Sequence, residues 1–472
     1  MDTAVNASSY RHGLVVNTLA AFTGRGLAIV GGIILAKTMS PDLMGKFFAD
    51  QALVLLGGGL INLGIGQGYR QIVSRNPALR TSYLLPTISL RVVMVLLYFA
   101  GLAAYLNYTG RISIQTLLVV AGTLLWSLLE LLEIDLQILR NYIVVSVLIV
   151  SEGFVVFLSA VVCRQAGGAY NPLVVSYFVC VLLVVIIGWL MVRPPITSML
   201  WPNYSRLIKT SIPFSAALIA YAFTSFWGLT YIRGVLGEQQ AGYYCVPLKV
   251  YQLTLVLGMS VSGVTLPLYH QLAALKHFGT YSKIFSRLVR GMWFISGPIV
   301  AVCFFIPEFI IRVFASEKYM PAAAIFPWIG FAVVFRLLAI PAGNVFESVG
   351  RQWYRVAAQS IGAVICGLLV VLIVPKYGIT GAAWTLFATD LWVMAAYWLI
   401  GSRIAPKVIA LSELVVPGIV LLAMLLLCAC PLNISMWLKL LVFVGLWTTY
   451  VMFFLDFKTE IFSLSKVFCH QK

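Results

Sequence analysis

Five basic residues are not accounted for by loops: Lys439, near a span end, reads as a side chain that snorkels to the surface, and Arg25, Arg91, Lys249 and Arg336 lie buried in stretches that are otherwise apolar. A cation held away from water is costly, so such residues face a bundle interior or a wet cavity, and the chemistry they suit is the binding of an anion. Arginine forks two hydrogen bonds onto a phosphate, whereas lysine supplies a movable point charge. At a rise of about 1.5 Å per residue, Arg25 lies roughly 18 Å into its stretch and Arg336 roughly 21 Å into its own; Lys249 and Arg91 sit on the order of 12–13 Å from a span end. Gly24 and Gly26 flank Arg25 and leave room for a headgroup or a neighbouring helix. Arg91 reads equally as a side chain that snorkels to the surface, and Arg336 as a structural partner of Glu347 or of a carbonyl.

The acids are scarcer, and Asp50, Glu130, Glu133, Glu152 and Asp390 fall within apolar stretches. Glu130 and Glu133 are three apart and share a helix face. Asp390, Asp50, Glu130 and Glu133 are the candidates for gating or for coupling to a proton or sodium ion; a structural ion pair is the competing reading of each. Tyr221, Phe226 and Trp227 either stack on sugar rings or serve as packing and interfacial anchors. The eight cysteines and four histidines show no metal-ligand spacing, and no phosphate-binding loop, nucleotide fingerprint or catalytic triad is present, so neither enzyme chemistry nor a bound cofactor or metal is expected.

The elements that must position these groups follow from composition. Of 472 residues 61% are hydrophobic and 10% charged, with mean hydropathy +0.98. Repeated apolar segments of roughly 20 residues predict an all-α polytopic membrane protein, since a helix satisfies its backbone polar groups internally. Spans are expected near 13–36, 47–69, 82–106, 112–136, 141–163, 171–192, 208–235, 241–266, 288–312, 322–345, 353–374, 378–402, 408–430 and 434–456, fourteen in all. The N-terminus runs into the first span without a small-residue cleavage site, which argues against a cleavable signal peptide. With that terminus inside, nineteen Lys and Arg fall on the cytoplasmic side against eight outside, so both termini are expected in the cytoplasm. The net charge of +17 is then largely loop charge rather than a sign of nucleic-acid binding. Residues 270–290 mix Leu, Phe and Ile with Lys276, Lys283, Arg287 and Arg290 and read as a basic amphipathic strip facing membrane lipid.

An internal repeat gives the domains. The segment Leu35 to Gly45 and the Lys46-Phe-Phe that follows resemble Ile232 to Gly242 and the Tyr243-Tyr-Cys that follows; Glu133 to Arg140 corresponds to Asn344 to Arg351. The offset of six spans predicts two six-helix halves in parallel orientation, residues 1–200 and 201–405, joined by the proline-bearing linker Arg193 to Pro202, with 406–472 as an appended helix pair and tail.

Leu207 to Phe214, Ala241 to Lys249 and Pro375 to Trp384 together give the chain a resemblance to the multidrug/oligosaccharidyl-lipid/polysaccharide exporter superfamily, and within it to the Wzx-type flippases. Val250 stands where that family often has leucine after the lysine, and Pro247 departs from its pattern. The resemblance implies a V-shaped, MATE-like pair of bundles in a bacterial inner membrane. It also implies transfer of an undecaprenyl-diphosphate-linked oligosaccharide to the periplasmic leaflet for O-antigen, capsule or exopolysaccharide assembly, in company with polymerase machinery. It assigns Arg25 and Lys249 to the central cavity. A cation-coupled small-molecule exporter on the same fold is the alternative, and in that case the buried acids would outrank the bases.

Overall fold

The computed structural model describes residues 7–139, 141–192, 201–429 and 435–454. The linker around Arg193, the chain end beyond 454 and Arg140 of the second repeat match lie outside the described residues.

Among the described residues every regular element is helical. α1 (Ala7–Thr38) is followed by α2 (Pro41–Leu56), α3 (Gly58–Asn62) and α4 (Ile65–Arg75), then by α5 (Arg80–Tyr108), α6 (Ile114–Ile138), α7 (Tyr142–Gln165) and α8 (Tyr170–Val192). Next come α9 (Trp201–Leu236), α10 (Glu238–Ala274), α11 (Phe278–Phe305), α12 (Pro307–Phe314), α13 (Phe326–Ser348), α14 (Gln352–Ile404), α15 (Ser412–Ala429) and α16 (Met436–Phe454). Each of the fourteen expected spans corresponds to helix, once α2–α4 are taken as one broken span and α14 as two. Nine of the described helices are singly long and apolar enough to cross a membrane, and a tenth is the bent pair formed by α2 with the helices after it. The protein is a multi-pass membrane protein.

Local sequence explains the breaks. α2 opens on Pro41 with Asp42 in its first turn, where a missing N–H costs nothing and a negative charge complements the helix dipole. It stops at Gly57, beyond which the chain bends by 41°. Leu63 and Gly64 both take left-handed backbone, which separates α3 from α4. Gly378 has φ 58 and ψ −141 inside α14, a conformation that glycine tolerates, and it divides the 53 residues into the two expected spans.

The described chain forms two compact units. The first runs to Lys249 and includes Arg312–Ala322 and Gln359–Thr385; the second comprises Val250–Ile311, Ala323–Ala358 and the chain from Leu386. Within the first, α9 lies against the glycines of the broken span: a side chain at Gly59 would strike Ile219, and one at Gly64 or Gly68 would strike Ser211. The glycine run thus serves close helix packing as well as the bend. The first unit also holds the two segments matched by the internal repeat, in direct contact. A Cβ on Gly45 would collide with the Glu238 carbonyl, and a Cβ on Gly242 with that of Pro41. Pro41 and Glu238 each begin a helix, and Gly45 and Gly242 are each its fifth residue, so the contact is reciprocal. In the second unit α15 and α16 dock on α11. Trp447 donates its indole N–H to the Trp293 carbonyl at 3.2 Å and fills the space left by Gly297, while Arg290 reaches Glu413 at 3.3 Å.

Candidate functional site

The first unit carries Arg25 on α1, facing the crossing with α7. That crossing is tight because Gly24 lies on the Ile149 carbonyl, Gly153 on the Gly24 carbonyl and Gly31 on the backbone of Phe157. The backbone approach leaves Arg25 and Glu152, the neighbours of Gly24 and Gly153, both exposed, and the guanidinium charge acts on Glu152 without a salt bridge between them. Gly26, on the other flank of Arg25, has open space where a side chain would be. The two glycines therefore do different things. One seats a helix, and the other leaves the neighbourhood of the guanidinium free.

Lys249, on α10, is exposed as well, and its ammonium lies 4.2 Å from the ring centroid of Phe48 on α2. A cation over an aromatic face keeps part of the electrostatic stabilisation that water would give it while remaining available to an anion. Among the described residues no carboxylate forms a salt bridge with Arg25 or Lys249.

Three buried arginines, Arg91, Arg233 and Arg336, are each bound to an acid. Arg91 on α5 is 1% exposed; it donates to the Asn62 side chain, to the Ser127 carbonyl at 3.2 Å and to Glu130 on α6 at 3.4 Å. It does not snorkel to the surface. Arg336 on α13 reaches Asp390 on α14 at 2.7 Å, and its Nε donates to the Tyr251 hydroxyl, which itself donates to Asp390 at 2.6 Å. Glu347, the partner the sequence offered for Arg336, is held by Arg355 at 2.7 Å instead. Asp50 on α2 is fully buried and accepts from Arg233 near the end of α9; Arg233 also meets Glu238 at 3.1 Å.

Three of the four acid candidates are thus occupied: Asp50 by Arg233, Glu130 by Arg91 and Asp390 by Arg336. Glu133 differs. Its Oε1 is buried without a hydrogen-bond partner, and the carboxylates of Glu130 and Glu152 act on it electrostatically. Of the aromatic candidates, Trp227 stacks on Phe223 with centroids 5.0 Å apart, which is a packing arrangement.

Sequence reading missed Arg233, which lies near the end of the expected span 208–235 and pairs with Asp50. It also missed Asp135, on the same helix as Glu130 and Glu133, which takes a bidentate bond from Arg80 at 2.9 and 2.7 Å and a third from Tyr69 at 2.6 Å. No periodicity in the sequence marks that acid as paired; only the fold of α4 and α5 onto α6 does.

No protein-family model matches the chain. An uncharacterized membrane protein of Methanocaldococcus jannaschii is 23% identical over 232 residues, covering 46% of this chain and 44% of that protein, so the match spans less than half of either. Among solved structures, the lipid II flippase MurJ in an inward closed conformation superposes with TM-score 0.71 at 13% identity, over 94% of this chain and 100% of that one. An inward-facing multidrug resistance MATE family transporter of the MOP superfamily gives TM-score 0.66 at 12% identity, over 81% and 94%. A MOP superfamily transporter from Pyrococcus furiosus, whose binding pocket is described as reversed in polarity, gives 0.61 at 12% identity, over 84% and 96%. The fold is that of MOP superfamily transporters. These three solved structures are a flippase and two transporters.

Proposed function

We propose that this protein is a flippase that carries a polyprenyl-diphosphate-linked oligosaccharide, a repeat unit of O-antigen, capsule or exopolysaccharide, from the cytoplasmic to the periplasmic leaflet of a bacterial inner membrane by alternating access. One observation carries the reading. Of the membrane-embedded cations named above, Arg91, Arg233 and Arg336 are each engaged with a carboxylate, whereas Arg25 and Lys249 stay exposed and unbridged. A diphosphate leaving water needs fixed cations in place of its hydration shell, and unbridged cations are the ones free to supply them. Arg25 grips the phosphates by a forked contact; Lys249 follows them as a point charge. A lipid II flippase with the same fold supports a lipid-linked cargo.

In this reading both termini are cytoplasmic, so the reciprocal contact at Gly45 and Gly242, with the Asp50–Arg233 pair beside it, closes the outer end. The sugars travel in wet space, the polyprenyl tail stays in lipid, and polymerase machinery receives the unit outside. Glu133 and Glu152, the two of the five acids in apolar stretches with no arginine bridge among the described residues, are the groups for proton or sodium coupling. They also favour a second reading, a cation-coupled small-molecule exporter of the MATE type.

The test is charge reversal in a strain lacking other flippases. Arg25→Glu and Lys249→Glu are expected to abolish surface polysaccharide while the protein remains inserted; undiminished polymer in both would sink the proposal. Drug efflux lost on Glu133→Gln with normal polymer would establish the exporter instead.

A further inference from the structure

A second group of cations lies at the head of α9, far along the helix from Arg233. Ser205, Arg206, Lys209 and Thr210 line a shallow, widely open pocket of about 470 Å³. No acid is among these lining residues. Successive helical residues turn by about 100°, so positions 205, 206, 209 and 210 form one continuous face. The helix presents two further faces here. Leu207 and Ser211 are buried; Leu207 packs with Ile65, Tyr69 and Ile72, and Ser211 meets Gly64, just before α4, and Gly68 within it. Ile208 and Ile212, exposed to 44% and 56%, form the third face, adjacent to the edge that carries Ser205 and Lys209.

The pocket is held in place by its own helix. Asn203 donates to the Ser82 carbonyl at 3.0 Å, and Tyr204 shares a hydrogen bond with Ser89 at 2.8 Å, which ties the start of α9 to the start of α5. Thr210 donates to the Arg206 carbonyl at 2.8 Å, which leaves its oxygen able to accept. The stretch Phe214–Leu236 of α9 is long and apolar enough to cross a membrane, and Thr210 lies about 6 Å before it at the helical rise. Two cations and two hydroxyls just before that apolar stretch, bordered by the exposed Ile208 and Ile212, match an amphiphile with a phosphate in its head and a hydrocarbon tail.

We infer that the Ser205–Arg206–Lys209–Thr210 pocket binds the phosphate of a membrane lipid, apart from the Arg25 and Lys249 cations. Arg206 supplies a forked contact, Lys209 a second charge, and the hydroxyls fix the oxygens that remain. Ile208 and Ile212 receive the first carbons of the tail. Phosphate on a lipid has two sources here, an anionic phospholipid or the polyprenyl diphosphate of the proposed cargo, and the inference holds for either.

The test uses the full-length protein in phosphatidylcholine nanodiscs, titrated separately with phosphatidic acid and with farnesyl diphosphate. Saturable binding of at least one is expected, weakened about tenfold or more in R206Q/K209Q and a few-fold in S205A/T210A, which keeps both charges. R403Q/K407Q removes two exposed charges elsewhere and is expected to bind as the unaltered protein does. Tighter binding of phosphatidic acid identifies a phospholipid site; tighter binding of farnesyl diphosphate identifies a cargo site. Equal loss in R206Q/K209Q and R403Q/K407Q would mean diffuse surface charge and overturn the inference, as would the absence of saturable binding of both probes. The nanodisc titration reads lipid binding after Arg206 and Lys209 are altered, whereas the flippase test reads surface polymer after Arg25 and Lys249 are altered, so the two outcomes are separate.

Discussion

Arg25 and Arg336 are the same residue type, each deep in an apolar helix, and they have opposite surroundings. Arg336 in the second unit is sealed: it bridges Asp390, shares Tyr251 with it and is 8% exposed. Arg25 in the first unit is exposed and unbridged, and Lys249 resembles it. A buried cation bound to an acid has exchanged its hydration for a fixed partner, and removing either member strands the other. An exposed cation within a membrane fold has made no such exchange. Depth in the sequence does not distinguish the two; the partner does.

The comparison breaks most decisively through function. Arg25→Glu and Lys249→Glu are each expected to lower polymer export by about a hundredfold or more while shifting the thermal midpoint by no more than a few degrees, because no structural partner is lost. Detergent-solubilised protein assayed by thermal unfolding, beside cell-surface polymer, reads both. A fall in midpoint as large as that of Arg336→Leu would remove the distinction.

The second unit is expected to answer in stability. Arg336→Leu or Asp390→Leu alone costs about 3–5 kcal/mol by leaving an uncompensated charge, whereas the double substitution recovers most of that loss, since apolar residues of similar volume replace a buried pair at little cost. Denaturant unfolding of the three variants measures the coupling. Single variants as stable as the unaltered chain would mean that Arg336 is no more sealed than Arg25.

The helices were legible in the sequence because each span is long, apolar and bounded, and so was the split of α14 near Pro375 and Gly378. The two segments that the sequence matches to each other meet at Gly45 and Gly242. Partnership was not. Asp390 lies 54 positions from Arg336 and Arg233 lies 183 from Asp50, so the pairs exist only once helices distant in sequence are brought together. The types of residue at Arg25, Arg91, Lys249 and Arg336 are nearly alike; what sorts them is whether Asn62, Glu130, Tyr251 or Asp390 stands opposite.

Glycines sharpen the comparison within the first unit. Gly24→Ala is expected to cost about 1–3 kcal/mol, because its methyl meets the Ile149 carbonyl of α7 and the close crossing must open. Gly26→Ala meets nothing and is expected to be neutral or to stabilise by up to about 1 kcal/mol through helix propensity. If the volume beside Arg25 admits the cargo headgroup, Gly26→Ala lowers export without lowering the thermal midpoint, and Gly24→Ala does both.

The smallest effect is expected at Tyr251. Its hydroxyl donates to Asp390 at 2.6 Å and accepts from Arg336 at 3.2 Å, so it closes a three-membered buried network without carrying charge itself. Tyr251→Phe removes both bonds and keeps the ring in the core. The ion pair at 2.7 Å survives, and the loss is about 1–2 kcal/mol, the cost of one buried carboxylate oxygen and one guanidinium N–H left less satisfied. A sealed network that only braces its unit predicts a lower thermal midpoint and unchanged polymer export. Export lost with the midpoint preserved would show that Tyr251 acts during transport, that the Arg336–Asp390 pair changes partners in the cycle, and that the second unit works with its cation as the first does with Arg25.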